Sequence, residues 1–493
     1  MLRFPRVTKS RASLASGGTL LGVAKLYFLV ASYATVLALT RLLDPATFGS
    51  YSAVGRLIAV PNMVIIYTLM FSVSRPLAAE FGSGSPNYDA IRARGFRMAL
   101  VLGGIVSTVF FAGASIFADA LSEPELTLPI RVVAPISVLY AVYAVNVGTI
   151  NARRLFARQA ALDMIMASTK AALLIAFAAL GFGLARTLGG FTAASLIALT
   201  ISTLLVRAAR PEGATGTKSG APPIHGLAAT LIIFTTATNL LLSVDLFVLK
   251  HFAVDDAAKD AVGYYSGAQY VAQVPYSLLN AISLLMFPLI ASLHADGDEA
   301  TARRYISQAT KVTVLLLALM ASVAATASDG IMHLLFPPAY ASSADELRRI
   351  VIGYSGYSLA VTAAWILNSS DRSRTALLLV CIGLVGSAGG GFLSAPKVGP
   401  GGVAWSVMGA GIAAAVAALF ALHHHFRAGL QLAWVAKVGA AVGLVVLVGS
   451  QWSPSSKLMI LVQLALLASC FLAVCFGTKA VTLAEIRELR KRG

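Results

Sequence analysis

Apolar runs of about 20 residues recur along the whole sequence, separated by short polar stretches, and that is the length an α-helix needs to cross about 30 Å of hydrocarbon. By this criterion fourteen segments can be marked between residues 17 and 476, among them a seventh over 226–249 and an eighth over 263–290. No water is available in the bilayer core, so each segment must satisfy its own backbone groups, which helices do. Only 12% of the residues are charged, whereas soluble domains carry about 25%, and the mean hydropathy is +0.80. The chain is therefore expected to be an all-α polytopic membrane protein.

The net charge of +17 raises the question of nucleic acid, but the basic residues form no dense patch and no recognition motif accompanies them. Their placement between the spans accounts for them better. Of the 38 Lys and Arg, twenty-six fall on one set of alternate connections and nine on the other, and Lys25, Arg56 and Lys170 lie inside spans. Basic connections stay in the cytoplasm, so both termini are expected there, in a bacterial inner membrane. The basic N-terminus leads into a stretch too long for a signal peptide's apolar region, with no clear cleavage site after it, and reads as a retained first span. Cys381, Cys470 and Cys475 lie in apolar segments without metal-ligand spacing and read as small hydrophobes.

The sharpest change of composition is Arg207 to Gly226, rich in Gly, Pro and charge, as expected of a cytoplasmic linker at 207–225 after a first lobe of residues 1–206. A local repeat lies on either side of it. Gly49-Ser50-Tyr51-Ser52 with Pro61 is matched by Gly263-Tyr264-Tyr265-Ser266 with Pro275 at a constant offset of 214, and Val60 and Val274 match as well. Both copies open even-numbered spans in the same sense, which implies a parallel repeat. Pro61 and Pro275 each remove a backbone hydrogen bond and permit a bend.

Charge inside a span is expensive and rarely faces lipid, so the few such residues are the candidates for function. Lys25 and Lys170 lie about eight residues into their spans, about 12 Å deep at 1.5 Å per residue. Arg56 lies about one turn inside the second span. Two readings stand: these cations snorkel or pair with Asp163 and backbone carbonyls, or they line a hydrated cavity suited to a phosphate-bearing substrate. Asp245, in the seventh span behind Thr235, Thr236, Thr238, Asn239 and Ser243, is either a buried partner between helices or the residue that responds to a coupling cation, H+ or Na+. Tyr265, Gln269, Gln273, Tyr276 and Asn280 are spaced 4, 4, 3 and 4 apart and so share one helical face. That face either joins helices or presents hydroxyls and amides to sugar groups. His423-His424-His425 reads as a solvated helix end, since consecutive helical residues point apart.

The sequence contains no phosphate-loop, HExxH or GxSxG motif, and its connections are too short for a catalytic or nucleotide-hydrolysing domain. The expectation is a protein that is not an enzyme, uses no cofactor or metal, binds no nucleic acid, and draws energy from an ion gradient, the membrane potential or a partner.

Arg41-Leu42-Leu43-Asp44-Pro45 followed by Phe48-Gly49-Ser50-Tyr51, then Val262-Gly263-Tyr264-Tyr265 with Pro275 and Pro288, then Leu334-Leu335-Phe336 with Tyr340 ahead of Glu346-Leu347-Arg348-Arg349-Ile350, together resemble the O-antigen type polysaccharide flippases. These belong to the multidrug/oligosaccharidyl-lipid/polysaccharide exporter superfamily. Asp44 stands where that family has a glycine, and Pro337-Pro338 replaces another.

The resemblance implies about fourteen transmembrane helices in two pseudo-symmetric six-helix lobes, 1–206 and 226–421, around a central cavity, with two additional helices and a basic tail over 422–493. It also implies export of polyprenyl-diphosphate-linked oligosaccharide repeat units by alternating access, beside the glycan polymerase machinery. On that reading Lys25, Arg56 and Lys170 neutralise the diphosphate, Tyr265, Gln269, Gln273 and Asn280 contact sugars, and Asp245 answers to the coupling ion. The alternatives are a drug/cation antiporter of the same superfamily, a lipid II flippase, and a membrane-embedded glycan polymerase, ligase or acyltransferase.

Overall fold

The computed structural model describes residues 11–82, 87–207, 225–279, 298–370 and 372–481. Among them every regular element is helical. Twelve helices are long and apolar enough to cross a membrane, or thirteen if one bent pair counts as a single span. The eighth expected span is described only as far as residue 279, so its second half, with Asn280, lies outside the described residues. The same holds for most of the 207–225 linker and for the basic tail beyond residue 481.

The chain divides into two compact units, residues 1–43 with 54–236, and residues 44–53 with 237–493. In the first unit the order is α1 (Arg11–Leu42), most of α2 (Pro45–Gly82), α3 (Tyr88–Ala112), α4 (Ala114–Ala120), α5 (Thr127–Val133), α6 (Ile136–Ala152), α7 (Phe156–Ala179) and α8 (Gly183–Arg207). Its core forms where Ile65, Leu69 and Val73 of α2 meet Tyr88 and Ala99 of α3 and Ala141 and Val145 of α6. Lipid tails are as apolar as leucine, so membrane helices associate through close packing, and small residues permit it. Gly103 lies against the Ser137 carbonyl and Ala141, and Gly148 against the Met70 carbonyl. α1 packs along α7, and α7 along α8.

The second unit begins with the end of α9 (His225–Leu241), then α10 (Val244–His251) and α11 (Asp256–Ala272). There follow α12 (Glu299–Thr326), α13 (Ser328–Leu335), α14 (Ala344–Asn368), α15 (Ser373–Val398), α16 (Pro400–Phe426), α17 (Leu432–Ser450) and α18 (Lys457–Gly477). α14 is the buried centre. Its most apolar stretch is 89% enclosed, against at most 50% for any other described span. It reaches α16 through glycines: a Cβ on Gly356 would fall on the Gly411 carbonyl, and one on Gly411 on the Gly353 carbonyl. The two further C-terminal helices pack on this unit, with Gly449 against Thr326 and Gly330 against Ile460.

The two prolines of the repeat behave differently. Pro61 lies within the unbroken α2, whereas helical structure is interrupted at Gln273, two residues before Pro275. Residues 44–53, the first turns of α2, are held within the second unit by their own repeat equivalents. Gly49 touches Gly263, and Ala46 N donates to Asp260 Oδ1 at 3.1 Å across the same offset of 214. Mutual contact between equivalent positions is the geometry that a local two-fold axis between two segments produces.

The three segments that carried the family resemblance also meet here. Phe48 stands 6.2 Å from Tyr340, Tyr264 5.2 Å from Tyr340 and Phe336 5.4 Å from Tyr340. A Cβ on Gly263 would overlap Pro45, so only glycine fits that approach.

Candidate functional site

A broken span leads into the second unit. Residues Ile232–Leu241 and Val244–His251 meet at an angle of 53°, with Ser243 at φ −134° and ψ −20°. Ser243 Oγ turns back to the Asn239 carbonyl at 2.9 Å, the local side-chain bond by which serine competes with helix continuation. Asp245 lies in the first turn of α10, where the positive end of a helix dipole favours a carboxylate.

Asp245 is 1% exposed, and hydrogen-bond donors surround it. Tyr265 Oη donates to Oδ2 at 2.9 Å and Gln269 Nε2 to both oxygens at 2.8 Å. Gln269 Nε2 also reaches Tyr354 Oη at 2.9 Å. The Tyr354 hydroxyl donates to the Leu242 carbonyl at 3.0 Å, a shorter contact than its 3.3 and 3.4 Å approaches to Asp245. Gln273 Nε2 reaches the same carbonyl at 3.3 Å. The carbonyl released by the break is thus satisfied by two side chains, as a buried backbone acceptor requires. Gln269 Oε1 is buried and receives no hydrogen bond. The carboxylate buried at the helix break is the group here that can take up a proton or face a cation.

Of the residues singled out from sequence, Asp245, Tyr265, Gln269 and Gln273 are brought together. Tyr265 and Gln269 are fully buried and spend their donors on Asp245. Tyr354 and Lys250 were missed. Lys250, one of the nine basic residues on the less basic set of connections, is completely buried, and its Nζ donates to Ser50 Oγ at 3.0 Å. The available signal for Tyr354 was the polar run Gly353 to Ser358 inside an otherwise apolar span.

Lys25 and Lys170 are each engaged within the first unit. Lys25 Nζ pairs with Asp163 Oδ2 at 2.8 Å, the lysine 63% and the aspartate 13% exposed. Tyr27 Oη bonds Ser168 Oγ at 2.6 Å on the same α1–α7 seam. Lys170 Nζ stands 4.0 Å from the centroid of the Phe191 ring, a cation–π distance. Arg56 is partly buried on α2. The run His423 to His425 ends α16, and the described residues contain no cluster of metal-binding side chains.

Solved structures share this arrangement of helices. The lipid II flippase MurJ in an inward closed conformation superposes with a TM-score of 0.72 at 14% identity, over 92% of this chain and 98% of that one. An inward-facing multidrug resistance MATE transporter gives 0.68 at 12% identity, over 82% and 98%. A transporter from Pyrococcus furiosus gives 0.63 at 14% identity, over 84% and 96%. The likeness is one of fold, and with at least twelve apolar helices among its described residues the chain is a multi-pass membrane protein.

No curated protein matches the sequence significantly. A family profile does, over residues 38–344, more than half of the chain. The chain belongs to the polysaccharide biosynthesis protein family.

Proposed function

We propose that the protein moves polyprenyl-diphosphate-linked oligosaccharide from the inner to the outer leaflet of the bacterial cytoplasmic membrane, with both termini cytoplasmic, and that a proton or Na+ at Asp245 drives it. The observation that carries the reading is the buried Asp245 at the break between α9 and α10, held by Tyr265 and Gln269. An ionisable group at membrane depth is costly and marks ion pathways. The family to which the chain belongs supplies the polysaccharide connection.

Lys25, Arg56 and Lys170 neutralise the substrate's diphosphate in this reading. Gln273 and Asn280 contact sugars directly. Tyr265 and Gln269 become available to sugars only when the coupling ion replaces their hydrogen bonds to Asp245, which links ion occupancy to glycan binding. The first lobe, 1–206, and the second, 226–421, rock against each other, while 422–493 adds two helices and a basic tail. No bond is made or broken in the substrate.

Deletion of the gene in its host, followed by mass spectrometry of extracted lipids, tests this. Accumulated lipid-linked repeat units together with lost surface glycan are expected. Unchanged pools with raised sensitivity to cationic drugs would replace the reading with a drug/cation antiporter; a multidrug resistance MATE transporter shares the fold. Accumulation of lipid II alone would make it a lipid II flippase, as MurJ is.

A further inference from the structure

At the end of the second unit where α12 begins and α14 and α16 end, side chains line a half-open cavity of about 440 Å³. Small-molecule sites run from about 300 to 1,000 Å³. Among the described residues, three arginines line it, Arg303, Arg372 and Arg427, against one carboxylate, Glu299. Ile306 and Phe426 supply apolar wall.

The arginines are not equivalent. Arg372 is fixed, because its Nη1 donates to the His425 carbonyl at 3.3 Å and its guanidinium stands 5.1 Å over the Phe426 ring. A guanidinium has five donors, so most of Arg372's remain for the cavity. Arg427 is placed by the turn that ends α16: it adopts a left-handed conformation at φ 50° and its N–H closes on the His423 carbonyl. Arg303 stands one turn into α12. Both Arg303 and Arg427 are exposed, so water still solvates them, and a multivalent anion gains from both.

Asp298, beside the cavity's Glu299, is already occupied as the cap of α12, accepting from Thr301 N at 3.1 Å. Three forked cations around a half-apolar cavity match the oxygens of a phosphate group, which guanidinium binds in bidentate fashion. By the alternation of basic connections this end faces the cytoplasm, where phosphate occurs both on anionic lipid headgroups and as free phosphate or diphosphate.

We infer that Arg303, Arg372 and Arg427 form a phosphate-binding site on the second unit, separate from the Asp245 cluster. The protein in phosphatidylcholine nanodiscs, supplied with phosphatidylglycerol or with inorganic diphosphate, tests it by native mass spectrometry and direct titration. At least one probe should bind and lose about tenfold or more in affinity in Arg303→Gln/Arg427→Gln, since each substitution removes charge-assisted bonds to the anion. Glu299→Gln, which removes the opposing charge, should tighten the same probe severalfold.

Retention of phosphatidylglycerol that diphosphate does not displace identifies a lipid headgroup. Binding of diphosphate without lipid preference identifies a soluble phosphate. Equal binding of both probes by the wild type and both variants, with unchanged unfolding temperatures, overturns the site.

Discussion

Asp245 illustrates how one side chain acquires a role from its surroundings. Its carboxylate is buried, stands at the start of α10, and accepts from Tyr265 and Gln269. Asp245→Asn keeps the shape and removes the charge, so glycan export should fall at least tenfold while the protein remains in the membrane, measured by surface glycan and immunoblot. Tyr265→Phe deletes one hydrogen bond to a charged group, worth about 1.5 to 3 kcal/mol, and should lower the unfolding temperature in detergent as well as export.

Lys25 separates two roles by a double substitution. If it only balances Asp163, then Lys25→Ala/Asp163→Ala restores the export lost in Lys25→Ala. If it binds diphosphate, export stays lost in the double variant, which is the outcome expected here. Asp245 and the stripe Tyr265, Gln269, Gln273 were legible because polar groups stand out in an apolar span. That Tyr265 and Gln269 turn to Asp245 was not legible, since spacing fixes a shared face on one helix and says nothing of which helix it meets.

Helix breaks and glycine seams set the geometry of the longer elements. The repeat permitted bends at Pro61 and Pro275, and among the described residues helical structure breaks near only the second. A missing N–H permits a bend, while packing decides whether it occurs. The break at Leu242 and Ser243 carries no proline, and only the cluster of Thr, Asn and Ser before it hinted at a departure from regular helix.

The seam between α14 and α16 is the strictest contact. Gly356→Val or Gly411→Val places a side chain inside the opposing backbone. Over-packing costs about 1 to 3 kcal/mol or more, and a lower unfolding temperature with reduced yield is the expected result. At the start of α12, hydrogen bonds from Thr301 hold the Asp298 carboxyl below the usual carboxylate range. The cap therefore keeps its full contribution at neutral pH and above, and loses it only as pH falls through that lowered value. Hydrogen exchange at the first turn of α12 should accordingly stay flat near neutrality and rise only in acid.

The family and the helical membrane fold could be read from the chain because span length, charge alternation and the repeat are one-dimensional signals. The division of the structure into units was only partly legible. The linker after residue 206 is plain in composition, but the assignment of residues 44–53 to the second unit depends on Gly49 meeting Gly263 and Ala46 meeting Asp260, contacts that no composition break announces. Arg303, Arg372 and Arg427 were visible as basic connections, whereas their convergence on one cavity required the ends of three helices to be placed.

The account stands or falls on movement of the lipid-linked glycan itself. The purified protein in liposomes, loaded with a fluorescent polyprenyl-diphosphate oligosaccharide and an imposed proton or Na+ gradient, allows the label in each leaflet to be quantified by a membrane-impermeant quencher. The prediction is gradient-dependent exchange between leaflets with the wild type and not with Asp245→Asn. Exchange no faster than in protein-free liposomes under either gradient, with a cationic drug transported instead, would contradict it.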